Sequence, residues 1–126
     1  MEFEYLKDDF MPTPVKNILL AFSEYSENRF NEVAVEFEKE ALGVINANIS
    51  LSELSKDTEY GTPLIRGLCT NYVTAKLHEM IAHPDYIDLA ADLMVTFRDN
   101  LKRIKDSKNE AEEKQLENKI ASLIIR

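Results

Sequence analysis

The chain predicts an all-α fold, a four- to five-helix bundle with an extended N-terminal arm. Three observations lead there. Only three glycines and four prolines punctuate 126 residues, while the strong helix formers Leu, Ala, Glu and Lys are abundant. Apolar residues recur at spacings of three and four over long stretches. Thr-Pro occurs twice, as Thr13-Pro14 and Thr62-Pro63, and each pair leads into such a stretch. Threonine is a good N-cap, and proline at the first helical position gives up no hydrogen bond it would have made.

A chain of this length forms one domain and buries about two-thirds of the surface it exposes when unfolded. Residues 1–12 read as an arm, 13–106 as the helical core and 107–126 as a C-terminal helix. In the arm, Phe3 and Tyr5 alternate with Glu2 and Glu4, which suits a short extended segment. Phe10 and Met11 add apolar surface. These side chains either fold back on their own domain or dock on a neighbouring subunit. Thr13-Pro14 opens the first helix, with Val15, Ile18, Leu19, Phe22 and Tyr25 as its buried stripe. The second runs from about Asn28 to Asn48, with Phe30, Val33, Phe37, Ala41, Val44 and Ile45 on one side. Glu32, Glu36 and Glu40 stand at i, i+4 and i+8 on another, an acidic surface that is either solvated or aimed at a basic partner.

Ser50-x-x-Glu53 has the form of a capping box and starts a short turn, with Leu51 and Leu54 inward. The third helix spans about Pro63 to Ala82. Leu64, Ile65, Leu68, Cys69, Tyr72, Val73 and Leu77 cover more than one stripe, so this helix is expected at the centre, packed on several sides. His83-Pro84 ends it. Asp85 caps a fourth helix to about Lys105, carrying Ile87, Ala90, Ala91, Met94, Phe97, Leu101 and Ile104. Its early Asp85, Asp88 and Asp92 and its late Lys102, Arg103 and Lys105 suit the helix dipole. Ser107 or Asn109 caps a fifth helix with the narrow seam Leu116, Ile120, Leu123 and Ile124. Alternatively the fourth and fifth are one helix, because no Gly or Pro separates them.

Charge is unevenly placed. Residues 1–60 hold 13 acidic and 5 basic side chains, and residues 61–126 hold 10 of each, which gives the net charge of −8. An acidic half opposes phosphate-backbone binding, which needs clustered Lys and Arg. A surface that DNA passes without sticking remains compatible. A lone cysteine, Cys69, excludes a disulfide framework and fits a reducing compartment. No apolar run approaches the roughly 20 residues of a membrane span, so no membrane partner is expected. The acidic start Met1-Glu2-Phe3-Glu4-Tyr5 reads as neither signal nor transit peptide.

Candidate chemistry is sparse, and neither a catalytic residue, a cofactor nor a metal is expected. His78 and His83 are five apart, roughly 140° round a helix, whereas zinc-binding pairs sit at i, i+4. They read as surface or interface residues. Cys69, between Leu68 and Thr70 on the crowded helix, reads as a small buried hydrophobe. No Gly-rich loop precedes a helix, and no carboxylate sits in an apolar stretch that would tune it for general-acid work. The end Leu123-Ile124-Ile125-Arg126 is unusually apolar for a terminus. It is covered either by its own domain or by another chain. Phe3, Tyr5, Phe10, Leu123, Ile124 and Ile125 are thus the candidate oligomer or partner interface.

The layout over roughly residues 28–106 resembles the small helical head–tail connector (adaptor, neck) proteins of tailed bacteriophages. The likeness lies in a helix with Glu40-Ala41-x-x-x-Ile45, a short connection, and a Thr-Pro-led helix from Thr62-Pro63 through Ala75-Lys76-Leu77. A last helix follows, leading into Leu101-Lys102-Arg103-Ile104. The resemblance implies structural work: a homo-oligomeric ring beneath the portal protein, in the virion neck assembled in the host cytoplasm. Such a ring extends the DNA channel and meets the next neck or tail component. The acidic, aromatic-armed first half has no counterpart in that pattern. The rival reading is a small acidic inhibitor or DNA mimic, with Glu32, Glu36 and Glu40, and Glu38 nearby, facing a basic partner.

Overall fold

The computed structural model describes residues 2–81 and 83–124, with side chains described as far as Asn118. The fold is all-α. Among the described residues there are five helices, α1 (Thr13–Ser23), α2 (Glu27–Asn48), α3 (Leu51–Leu54), α4 (Gly61–Glu79) and α5 (Pro84–Ile124), and no strand.

α4 is the middle element, packed on α2 at one side and α5 at the other. Ile65, Leu68, Cys69, Tyr72, Val73, Ala75 and Leu77 are all buried along it. The expectation of a central helix rested on just this spread of apolar positions. Leu64 departs from it and stays 43% exposed. On α2 the buried stripe is Phe30, Val33, Ala34, Glu38, Ala41, Leu42 and Ile45, while Val44 turns out to solvent.

Both Thr-Pro starts differ from expectation. α1 begins at Thr13 after Pro12, and α4 begins at Gly61 after Tyr60; neither preceding residue makes a side-chain cap. Before α4, the Asp57 carboxylate accepts the N–H groups of Glu59 (3.1 Å) and Tyr60 (3.0 Å), so the cap lies further upstream than Thr62. The Thr62 N–H donates to the Asp57 carbonyl at 3.0 Å and continues that turn into the helix. Only glycine fits at position 61, because a Cβ there would lie 1.8 Å from the Leu54 carbonyl oxygen. Ser50 caps α3 at the Glu53 N–H, but the Glu53 carboxylate leaves the capping box to pair with Lys108 of α5.

α1 is the largest packing correction. Of its expected stripe only Leu19 is fully buried; Ile18, Phe22 and Tyr25 are 44%, 57% and 38% exposed. Phe22 meets Tyr86 of α5 with ring centres 5.5 Å apart.

α5 is a single helix of 41 residues, roughly 60 Å long. Ser107 and Asn109 fall inside it, so no separate helix starts at 107. Phe97 and Leu101 anchor its first half in the core with Ala90, while Ile87 remains exposed.

Candidate functional site

The distal half of α5 leaves the domain. Lys108 is half-buried and held by Glu53, and every residue from Asn109 to Asn118 is exposed. Leu116 is 60% exposed there. Among the described residues this stretch buries no apolar stripe against its own chain, and a free helix of that length is marginal in water. Leu123 and Ile124 stand on its last backbone turn. Their side chains, and Ile125 altogether, lie outside the described residues.

The N-terminal residues pack on their own domain, and they run in bends and turns where an extended segment was expected. Leu6 and Met11 are buried, and Phe3, Tyr5 and Phe10 are half-buried against the core. Phe3 and Phe10 stack edge-to-face at 5.5 Å. A carboxylate in the core holds the backbone. Glu38, only 1% exposed, accepts the N–H of Glu4 (2.7 Å), Tyr5 (3.1 Å) and Leu6 (2.8 Å). Arg66 Nε donates to the Tyr5 carbonyl at 2.8 Å. A carboxylate taking three amide hydrogens is well compensated for its lost hydration. Glu38 therefore does not join the acidic surface. The clue was its position: Ala34, Glu38, Ala41 and Ile45 share one stripe, and a lone acid in an apolar stripe needs a partner.

Glu32 and Glu36 are exposed on the outside of α2, where with Glu2 they line a shallow depression of about 490 Å³. Glu32 pairs with Arg29 at 3.2 Å. Glu40, one turn further along α2 and also exposed, accepts the Tyr72 hydroxyl at 3.2 Å. Burial, and next the Glu40 charge, raise the Tyr72 phenol above its ordinary value.

A second groove, about 460 Å³, lies where α2, α4 and α5 meet. Tyr72, Met94, Phe97 and Leu101 give it an apolar floor, and Lys76, Arg98, Lys102 and Lys105 rim it. Composition concealed this basic site, because the second half of the chain is neutral in sum.

Cys69 and His78 are core residues. Cys69 is fully buried, and burial, followed by the Glu38 and Glu4 charges, pushes its thiol up to about 12. It is no nucleophile at neutral pH. His78, expected at a surface or interface, is instead 3% exposed and donates from Nδ1 to the Thr74 carbonyl at 2.7 Å. Its own preceding turn supplies the partner that lets it enter the core. His83 is exposed. Among the described residues, no group of three or more His, Cys, Asp or Glu side chains converges as a metal site, and no helix is long and apolar enough to cross a membrane.

No protein-family model matches the chain, and no curated protein or solved structure matches it.

Proposed function

We propose that the chain is a structural assembly subunit, and that its distal α5 is the helix that engages a neighbouring component. The exposed stretch Asn109–Asn118, with Leu116 bare upon it, carries this reading. Among the described residues this stretch buries no face on its own domain, which leaves it free to meet a neighbour. The more specific form is a head–tail connector ring subunit in the neck of a tailed phage, below the portal and around the DNA channel. It is supported by the resemblance of layout over residues 28–106. In that form, the distal helix reaches the adjoining ring. The apolar positions Leu123, Ile124 and Ile125 extend the same segment in sequence. Phe3, Tyr5 and Phe10 serve chiefly to fasten the arm to its own core.

The inhibitor or DNA-mimic reading is less well supported. Of its four carboxylates Glu38 is buried under the arm, which leaves Glu32, Glu36 and Glu40 exposed, with Glu32 paired to Arg29 and Glu40 accepting the Tyr72 hydroxyl. Negative-stain microscopy of the purified chain, alone and mixed with a portal ring, tests the function. Closed rings or a decorated portal are expected. A chain that stays monomeric in both settings, yet forms a salt-sensitive one-to-one complex with a basic protein, overturns it.

A further inference from the structure

The basic groove and the outer face of α2 are complementary, and they point in different directions. Arg98, Lys102 and Lys105 stand at i, i+4 and i+7 on α5, so they share one face of that helix. None of the three has an ion-pair partner among the described residues. Lys76 joins them from α4; it lies 3.9 Å from Glu79 and 5.8 Å from the centre of the Tyr72 ring. The acids beside this rim are Glu40, through Tyr72, Glu79, and Asp99 and Asp106 at i−3 and i+4 from Lys102, and none of the four lines the groove itself. Four cations over an apolar floor, in a chain of net charge −8, form a local positive site.

The opposite charge is found on the same chain. Glu32 and Glu36 each stand two residues from the buried Ala34, hence roughly 160° from it round α2. They face away from the core that α2 shares with α4. Glu2 joins them, and Lys39 and Arg29 offset part of the charge. The Arg29–Glu32 pair is exposed, and such pairs contribute little and exchange readily.

We infer that the outer face of α2 in one copy, through Glu32 and Glu36, docks into the α4–α5 groove of the next copy, against Arg98, Lys102 and Lys105. This rests on the ring reading and names its subunit contact. Two unlike patches on one chain make a head-to-tail contact, which closes a ring when the rotation permits. The charges set register and drive encounter, and the exposed Val44 with the half-buried Met94 at the groove gives apolar surface for Val35 between the two glutamates. A contact dominated by exposed charge weakens as salt shortens the Debye length.

Two charge-reversed chains test this by sedimentation velocity, with circular dichroism verifying that each is folded. One carries Glu32→Lys and Glu36→Lys; the other carries Arg98→Glu and Lys102→Glu. All four positions are exposed, so the fold is expected to persist. The wild-type chain is expected to associate at low salt and to dissociate as salt rises. Each reversed chain alone should lose association at least tenfold, and an equimolar mixture of the two should regain it, because every contact again pairs opposite charges. Should a reversed chain fail to fold, Lys102→Ala and Glu36→Gln stand in, each weakening association severalfold. If the wild type forms rings and the reversed chains form them equally well, this contact is wrong while the ring reading stands. If the wild type neither associates alone nor responds to salt, and the mixture stays monomeric, the contact is overturned. The portal-binding experiment then judges the ring reading separately.

Discussion

Glu38→Gln is the most informative single substitution in the core. The side chain keeps its shape but loses its charge and one acceptor. Glu38 now accepts three backbone N–H groups, one at Oε1 and two at Oε2. A glutamine offers one oxygen, and its amide nitrogen must face N–H groups that also donate. At about 1.5–3 kcal/mol for a hydrogen bond to a charged group, the loss of one or two bonds costs roughly 2–4 kcal/mol. The cost is bounded above by what arm docking contributes, since the arm can detach instead of staying badly paired. Against a total of about 5–15 kcal/mol this is a large effect. For a domain of this size it lowers Tm by roughly 6–15 °C. The assay is thermal and urea unfolding in two backgrounds, the full chain and a chain lacking residues 2–11. In the short chain the arm that covers Glu38 is gone and its carboxylate meets water, so Glu38→Gln is expected to be nearly neutral there. That loss of the effect with the arm is the signature of the latch. An equal Tm change in both backgrounds, or none in the full chain, refutes the reasoning.

Other outcomes follow from the same geometry. Gly61→Ala drives a methyl group into the Leu54 carbonyl oxygen and should cost about 1–3 kcal/mol or more in unfolding free energy, whereas Gly67→Ala, with open space around its Cβ position, should be neutral or stabilising. Leu68→Ala should cost about 2–5 kcal/mol because Leu68 is 2% exposed, while Leu116→Ala should shift Tm by no more than a degree or two. Cys69 should react with a thiol reagent only after unfolding. Its folded pKa is raised from 9.0 to about 12, so its contribution to stability is full below pH 9 and is lost as pH climbs through that window, by about 1.4 kcal/mol per pH unit. Comparing wild type with Cys69→Ala from pH 8 to 11 isolates that slope, and parallel curves would contradict it.

The helical class and the central place of α4 were legible because periodicity is local and the apolar positions of α4 run round much of its circumference. The stripe of α1 was equally periodic, yet only Leu19 is buried. Periodicity says which residues share a face, not whether a second element exists to cover it. The continuity of α5 was left open by the sequence, since Ser107 and Asn109 offered cap chemistry without a Gly or Pro to force a break. The arm latch was hidden for another reason. Three backbone amides meet one carboxylate about 30 residues away, and main-chain donors carry no sequence signature. The basic groove likewise needs α4 and α5 brought side by side before Lys76 joins Arg98 and Lys102. His78 was misjudged because its partner, the Thr74 carbonyl, is backbone again.

The central claim is that distal α5 serves a neighbour and not its own fold. Its most direct test is a chain ending at Lys108, which keeps the contact with Glu53 and removes the exposed stretch. Tm and co-sedimentation with a portal ring are measured side by side for the short and full chains. The account predicts a Tm within a few degrees of the full chain and loss of portal binding. A short chain that still binds the portal as the full chain does, or one that no longer folds, would contradict it.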